Sequence, residues 1–361
     1  MKLRLFATVL AGVVAFPALA QENVLHVYNW SDYIADDTVA KFEAETGIDV
    51  VYDVYDSNEV LEAKLLAGNS GYDIVVPTSS FLQRQIGADV YLPLDKSKLP
   101  NLKNMDPGLM EKAAAYDPDN EHAVIYMWGT VGIGFNKAKV EERLGEDAPV
   151  DSWRLVFDPA YASKLADCGI SMLDSSTDML QIAAAYAGLD PLTTSADDMQ
   201  KAADVLMQVR PYVRYFHSSQ YISDLANGEI CVAVGFSGDI YIAAARAEEV
   251  GNGIEIAFSL PEEGTQLWFD MMAIPADAPN PEAAYAWMNF IMQPQVTGEI
   301  TNYVSYANAN PASLEFVDDA VKNDPAIFPP PDVMAKLFPT VDYSKIDRQM
   351  TRLWTKVRTG Q

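Results

Sequence analysis

The chain has 361 residues, of which 49% are hydrophobic and 21% are charged, and this globular composition excludes intrinsic disorder and collagen-like repeats. Its 51 acidic residues outnumber 25 basic ones, and the formal charge of −26 argues against binding to nucleic acid or anionic membranes. The length is sufficient for two domains. Such a surface would attract a cationic ligand, although acidity that serves only solubility is an open alternative.

The first twenty residues have the pattern of a signal peptide. Lys2 and Arg4 precede an apolar run at residues 5–16, which is too short to span a bilayer. Residues 18–20 (Ala-Leu-Ala) form a small-x-small cleavage site. We therefore expect residues 1–20 to be removed and the remainder to be a soluble, exported protein without a lipid anchor, which fits the periplasm.

Strands and helices alternate through the first part of the remaining chain. The pattern predicts strands at 24–28, 48–52 and 73–76, with helices at 38–45 and 58–67 and a third that begins near Ser79. Gly47 and Gly68 follow the first two helices, and Ser57 precedes the second as an N-cap. This order predicts a parallel sheet with helices on both faces.

A second alternating series begins with a predicted strand at 131–135. The later predicted strands are 170–173, 213–215, 230–234, 254–258 and 267–274, and the helices are 179–187, 196–209 and 240–249. The C-terminal part is mostly helical. We therefore predict an α/β fold of two lobes, with the first crossing between them near Gly134.

The sequence contains two cysteines, Cys168 and Cys231. In an oxidising compartment two such residues most often form one disulfide, and both here open short apolar runs typical of neighbouring strands. A pair of buried free thiols is the alternative.

Motifs for catalysis or cofactor binding are incomplete. Residues 235–239 (GFSGD) end in Asp where a nucleophile elbow needs Gly, and residues 132–134 (GIG) lack the third glycine of a dinucleotide fingerprint. The three histidines are not at metal-ligand spacing. We therefore expect no cofactor and no metal, but an exported hydrolase with paired carboxylates stays open.

Aromatic and acidic residues instead occur together where predicted strands end. The clusters lie at residues 28–33 (YNWSDY), 173–178 (LDSSTD), 236–239 (FSGD) and 268–270 (WFD), with Thr78 after a further strand and Tyr306 in a loop-like stretch. In open α/β sheets the ligand crevice lies beyond the carboxyl ends of the strands. Each cluster alone could be core and turn residues, but together they predict one cleft.

This chemistry suits an organic cation. Carboxylates supply the charge and hydrogen bonds that a buried ammonium needs, and aromatic faces attract the cation by about 0.5–2 kcal/mol per contact. Acids at both ends of an aromatic box would select ligands by the distance between their two amines. A sugar receptor is the alternative, because tryptophan also stacks on sugars.

Five segments together resemble one family. They are residues 28–34 (YNWSDYI), 72–77 (YDIVVP), 214–221 (RYFHSSQY), 238–239 (GD) and 306–310 (YANAN). The chain resembles the periplasmic polyamine-binding proteins of bacterial ABC importers, and among them the putrescine-binding branch. The resemblance implies a two-lobed type II periplasmic binding protein fold, with residues 21–134 and about 255–308 in one lobe and 135–254 and about 309–361 in the other.

The resemblance also implies a ligand site between the lobes. The aromatic box would be Trp30, Tyr33, Phe236, Trp268 and Tyr306. Ser31, Asp32 and Asp270 would hold one ammonium, Asp178 and Asp239 the other, and Thr78 would line the wall. The family has a disulfide that matches Cys168 and Cys231. The implied activity is capture of putrescine or spermidine and delivery to a membrane permease, without a chemical step. No feature of the sequence indicates an oligomer, so we expect a monomer.

The sequence departs from the putrescine-binding branch at four of these positions. Phe236 and Trp268 stand where the branch usually has Trp and Phe, respectively. Asp178 replaces a Glu and is one methylene shorter, and Thr78 replaces a Ser. Because Trp268 resembles the spermidine-preferring relatives, the sequence leaves the length of the ligand open.

Overall fold

A computed structural model describes residues 23–361, so the predicted signal peptide, residues 1–20, lies outside the described residues. The strands are β1 Val24–Trp30, β2 Asp49–Tyr55, β3 Ile74–Val75, β4 Ala123–Asn136, β5 Ile170–Met172, β6 Val213–Phe216, β7 Val232–Phe236, β8 Ile256–Ser259, β9 Gln266–Ala273 and β10 Phe338–Pro339.

The helices alternate with these strands and form most of the C-terminal part. They are α1 Thr38–Thr46, α2 Asn58–Leu66, α3 Ser79–Ile86, α4 Pro107–Ala113, α5 Lys137–Leu144, α6 Arg154–Phe157, α7 Pro159–Leu165, α8 Ser176–Tyr186, α9 Ala196–Val209, α10 Gln220–Ala226, α11 Ser237–Val250, α12 Pro281–Ile291, α13 Pro294–Val304, α14 Asp319–Lys322, α15 Pro331–Met334 and α16 Asp347–Thr359. Within residues 23–361, no helix combines the length and apolar character needed to cross a bilayer.

The sheet has the strand order β2-β1-β3-β9-β4-β7-β5-β6, with β10 added to β9 and β8 added to β4. In one half β1 pairs in parallel with β2 and β3, and in the other β5 pairs in parallel with β6 and β7. The central pairs β3–β9, β9–β4 and β4–β7 are antiparallel. The parallel arrangement predicted for each lobe is thus confirmed for its three outer strands.

Strand β4 runs through both halves of the sheet. Its residues 123–130 pair with β9, whereas residues 131–136 pair with β7 and β8. All of its residues are buried. The strand predicted at 131–135 is therefore only the second half of a longer one. We propose that the chain first crosses between lobes where the pairing changes, between Thr130 and Val131, rather than at Gly134.

The later crossings also follow strand pairing. The chain was expected to rejoin the first lobe at about residue 255, but β8 pairs with residues 133–136 of β4 in the second half. We propose that it returns between β8 and β9. Beyond residue 308 the chain still contacts the first half, because the Ala309 carbonyl accepts a hydrogen bond from the Asp106 N–H. Later in the same segment, α16 packs against α8 and α9 of the second half.

Cys168 and Cys231 form a disulfide with their Cα atoms 5.6 Å apart. They precede the paired strands β5 and β7, which confirms the predicted disulfide and removes the free-thiol alternative.

Four helices begin directly after strands that end at the junction of the two halves. Ser57 caps α2 by accepting a hydrogen bond from the Val60 N–H at 3.3 Å, as predicted, and Ser175 caps α8 in the same way at Asp178. Thr78 and Phe236 are the N-cap residues of α3 and α11. These strand-to-helix turns bring the predicted site residues together.

Candidate ligand-binding site

A cavity lies between the two halves of the molecule, at the carboxyl ends of β1, β2, β3 and β7. Ten of the eleven residues predicted for the ligand site line it. They are Trp30, Ser31, Tyr33, Thr78, Asp178, Phe236, Asp239, Trp268, Asp270 and Tyr306.

The cavity has further lining residues to which the sequence analysis assigned no role. The largest group is the run from Tyr55 to Glu59, at the carboxyl end of β2. Its sequence, YDSNE, combines an aromatic residue with acidic residues directly after a strand, as the predicted clusters do, so the same pattern could have predicted it. The others are Ser80, Phe81, Ser175, Thr177, Ser218, Ser219 and Thr340. Ser175 and Thr177 lie in the 173–178 cluster and Ser218 and Ser219 in the 214–221 segment, but neither pattern singled out these side chains.

The lining is strongly acidic. Among the described residues that form it there are five carboxylates, and none is a lysine, an arginine or a histidine. Glu59, Asp178 and Asp239 lie in the first turns of α2, α8 and α11. A helix N-terminus carries a partial positive charge that would repel a cation, and an acid in the first turn offsets it. The cavity therefore favours cations in spite of the helix ends that point into it.

Aromatic rings form a continuous wall. The Trp268 ring contacts Tyr306 at a centroid distance of 5.2 Å and Phe236 at 5.8 Å, in both cases edge to face. Tyr306 in turn contacts Tyr33 at 5.1 Å. This edge-to-face packing leaves ring faces free for a ligand, because the rings do not stack on one another.

A second aromatic pair completes the box. Trp30 lies 4.7 Å from Tyr55 between ring centroids. The Trp30 indole N–H and the Tyr55 hydroxyl both donate to the carbonyl oxygen of Val76, at 2.9 and 2.5 Å. Two side chains from β1 and β2 are thus anchored to the end of β3, which holds the rings in place.

Asp270 projects from β9 into the cavity and is 5% exposed. Its Oδ1 accepts a hydrogen bond from the Thr78 hydroxyl at 2.7 Å, and that hydroxyl accepts one from the Asn58 side-chain amide at 3.0 Å. The carboxylate has no lysine or arginine partner in the described chain. It is oriented by neutral donors, and its charge stays available to a ligand.

Asp239 is held in the same manner from the other half. Its two carboxylate oxygens accept hydrogen bonds from the Tyr221 hydroxyl at 2.6 Å and the Tyr306 hydroxyl at 2.7 Å. Tyr221 is wholly buried and also accepts a hydrogen bond from the Phe236 N–H at 3.0 Å. Tyr221 belongs to a segment that carries the family resemblance, but nothing in the local pattern indicated its contact with Asp239.

Burial makes these acids easy to protonate while the site is empty. It raises the pKa of Asp270 to about 7 and that of Asp239 to about 6, although the donated hydrogen bonds act in the opposite direction. Burial likewise raises the pKa of Asp178. Carboxylates that lack a counter-charge inside a protein favour the neutral form, and a bound cation would supply the missing charge.

Asp32 differs from the expectation. It does not line the cavity, and its carboxylate accepts a hydrogen bond from Arg246 of α11 at 2.6 Å. Its backbone has a left-handed φ of 55°, and its side chain reaches α11 of the second half. The predicted role of Asp32 as a direct ammonium ligand is therefore not supported by this geometry, because Arg246 already balances its charge.

Residues 37–329 match the model of the family described as bacterial extracellular solute-binding protein. The chain belongs to this family. It is a substrate-binding protein and not an enzyme, so the exported hydrolase considered from the sequence is ruled out.

Relatives match over almost the whole chain. It is 56% identical to the putrescine-binding periplasmic protein SpuD of Pseudomonas aeruginosa (strain UCBPP-PA14), covering 99% of this chain and 98% of that protein. It is 53% identical to the putrescine-binding periplasmic protein PotF of Escherichia coli (strain K12), with coverages of 99% and 97%.

The fold also matches a solved structure. The substrate-binding protein PotD of a spermidine/putrescine ABC transporter from Streptococcus pneumoniae superposes with a TM-score of 0.74 at 26% identity, covering 93% of this chain and 99% of that one. The predicted two-lobed type II periplasmic binding protein fold is confirmed.

Proposed function

We propose that this protein captures a linear polyamine, with putrescine as the reference ligand, and delivers it to the permease of an ABC importer. The observation that carries the proposal is the cavity lining, in which residues 23–361 supply five carboxylates, no basic side chain and a wall of aromatic rings. The names of SpuD and PotF, both putrescine-binding proteins, support the same ligand class. The aliphatic chain would lie against Trp268 and Tyr306, and the charged ends would reach the acids.

The electrostatic neighbours of each acid suggest how the two ends are held. Asp32, which adjoins Ser31, pairs with Arg246 of α11, the helix that also carries Asp239. Besides burial, the negative charges of Asp178 and Asp239 both raise the pKa of Asp270. We therefore place one ammonium with Asp239 and Ser31, and the other with Asp270 and Asp178. This grouping revises the one implied by the resemblance, which combined Asp270 with Asp32.

Binding would couple to closure of the lobes. The Tyr306 hydroxyl, from the segment after α13, donates to Asp239 of α11, and this contact joins the two halves across the cavity. A ligand that contacts acids of both halves stabilises the closed arrangement more than an open one, and that difference in affinity is what a permease could recognise. We further propose that the protein acts as a monomer in the periplasm after cleavage at Ala20.

Calorimetric titration of ligand-free protein tests the proposal. Putrescine, cadaverine and spermidine are compared with glucose and glutamate, and Trp30 and Trp268 supply an intrinsic fluorescence signal as a second readout. We expect saturable, one-to-one binding of at least one amine and no binding of glucose or glutamate. Binding of a sugar, or no response to any amine at millimolar concentration, would refute the proposal.

A further inference from the structure

One buried phenol joins two residues that line the cavity. Tyr221 of α10 is 0% exposed, and its hydroxyl donates a hydrogen bond to Asp239 Oδ2 at 2.6 Å. The same hydroxyl accepts a hydrogen bond from the Phe236 N–H at 3.0 Å. Phe236 ends β7 and Asp239 lies in the first turn of α11, so Tyr221 contacts both sides of this strand-to-helix turn. Tyr221 itself does not line the cavity, so it can affect a ligand only through its neighbours.

The direction of these hydrogen bonds follows from the groups involved. A backbone N–H only donates, so the Phe236 N–H occupies a lone pair of the Tyr221 oxygen. An ionised carboxylate only accepts, so the single O–H proton of Tyr221 points to Asp239. One hydroxyl therefore satisfies the end of β7 and the acid at the start of α11 together.

The other oxygen of Asp239 is held by a phenol of the opposite half. The Tyr306 hydroxyl donates to Asp239 Oδ1 at 2.7 Å. Tyr306 lines the cavity, and the next residue, Ala307, pairs with Trp128 in the section of β4 that pairs with β9. Tyr221, in contrast, lies in the second half with Asp239, because α10 packs against α11 and β7. Its hydrogen bond to Asp239 therefore does not depend on the relative placement of the two halves.

Packing fixes the Tyr221 ring as well as its hydroxyl. Gly235 of β7 faces the ring, and a Cβ at this position would lie 2.6 Å from it. The ring therefore fills the space beside the strand, and the hydroxyl has a defined position between Phe236 and Asp239. Phe236 in turn contacts the Trp268 ring of the aromatic wall.

We propose that Tyr221 is a positioning residue, which fixes the Asp239 carboxylate relative to Phe236 so that the ligand ammonium meets it at the edge of the aromatic wall. The inference rests on the proposed polyamine function. Tyr221 acts through one hydroxyl, so its removal leaves both the carboxylate and the aromatic wall in the chain.

The charged and titratable neighbours of Asp239 act on its pKa in both directions. Burial raises the pKa of Asp239 to about 6, and the charge of Asp32, which follows β1, adds to this increase. The hydrogen bonds from Tyr221 and Tyr306 lower the pKa of Asp239, and so does the charge of Arg246 on α11.

Asp270 of β9 also faces Asp239, because, besides burial, the charge of Asp239 raises the pKa of Asp270. Loss of the Tyr221 hydroxyl changes none of the other neighbours and removes a donor from the ionised form of Asp239. The pKa of Asp239 should therefore rise, and putrescine binding should require a higher pH.

The test is the pH profile of putrescine affinity for Tyr221→Phe, which removes the hydroxyl alone. A hydrogen bond to a charged group corresponds to about one pKa unit, so the profile should move upward by about one pH unit. For a group with a pKa of about 6, the loss of affinity should then be about fivefold larger at pH 6 than at pH 8.5. A purely structural role would weaken binding by the same factor at both pH values.

Tyr215→Phe is the matched control, because the hydroxyl of Tyr215 on β6 also donates to a carboxylate, that of Asp224, at 2.5 Å, and neither residue lines the cavity. It should leave the pH profile unchanged. In an Asp239→Asn background, Tyr221→Phe should change the affinity at pH 6 less than twofold, because the carboxylate on which the hydroxyl acts is gone.

A second variant covers the case in which Tyr221→Phe does not fold. 3-Fluorotyrosine incorporated at position 221 has nearly the volume of tyrosine and a more acidic hydroxyl, which is a stronger donor. It should displace the pH profile of putrescine affinity toward lower pH.

An equal loss of affinity at pH 6 and 8.5, a wild-type profile for either folded variant, or a full effect in the Asp239→Asn background would overturn the inference. A wild-type protein that binds no amine would instead refute the proposed function, and this inference with it. The two failures are distinguishable because the first is read relative to a wild-type protein that binds putrescine.

Discussion

Asp270→Asn should weaken putrescine binding by about thirtyfold or more at pH 8. Removing one member of a buried, hydrogen-bonded charge pair costs about 2–5 kcal/mol. We expect the lower end of that range, because Asn can still accept the hydrogen bond from the Thr78 hydroxyl and so leaves that donor satisfied. A cost of about 2 kcal/mol corresponds to roughly thirtyfold in the dissociation constant. Calorimetric titration measures it directly.

The same substitution should stabilise the protein without ligand. Burial raises the pKa of Asp270 from 3.8 to about 7, so the folded state loses stability as pH rises from about 4 to 7 and this carboxyl ionises. The resulting loss in the free energy of unfolding reaches at most about 4 kcal/mol above pH 7. Asn lacks it and can still accept the Thr78 hydrogen bond. The melting temperature of the empty variant should therefore exceed that of wild type at pH 8 and approach it at pH 4.

Opposite effects on affinity and stability distinguish a ligand-binding carboxylate from a structural one. Asp147→Asn is the control, because Asp147 is exposed and does not line the cavity. It should change neither quantity. An Asp270→Asn protein that binds putrescine within twofold of wild type, or whose ligand-free form melts lower at pH 8, would refute the reasoning.

Three further results are expected. Putrescine affinity should rise from pH 5.5 to 8, because Asp239 and Asp270, with pKa values of about 6 and 7, must release protons to pair with a cation. Calorimetry in two buffers of different ionisation enthalpy measures this proton release. A pH-independent affinity would contradict the prediction. Gly129→Ala should weaken putrescine binding about tenfold, since a Cβ there would lie 2.7 Å from the Trp268 ring. Gly87→Ala is the control, because the nearest contact of its Cβ is at 3.4 Å and its affinity should not change. Equal putrescine titration curves for the two variants would be contrary evidence. Replacing both cysteines with serine should lower the free energy of unfolding of the second lobe by about 4 kcal/mol, because the disulfide closes a loop with a sequence separation of 63. Putrescine affinity should not change. A chemical-denaturation midpoint equal to that of wild type would count against the stability effect.

The sequence by itself determined the local elements and the chemical class of the site. Apolar runs and capping residues located β1, α1 and α2, and the disulfide followed from two cysteines that each precede a strand. The clusters of aromatic and acidic residues predicted one cleft, and the family resemblance named ten of the residues that line it. The carboxyl ends of β1, β3 and β7 bring Trp30, Thr78 and Phe236 to this cleft, because such ends meet at one edge of a sheet.

Only the tertiary structure decided which strands pair and which charges are already balanced. Residues 256–259 read as a strand in either lobe, and their pairing with β4 places them in the second half. Likewise Asp32 looks like Asp270 in sequence, yet the first pairs with Arg246, while the second faces the cavity and pairs with no basic residue of the described chain. Sheet partners and ion-pair partners are distant in the chain, so local periodicity and composition carry no information about them.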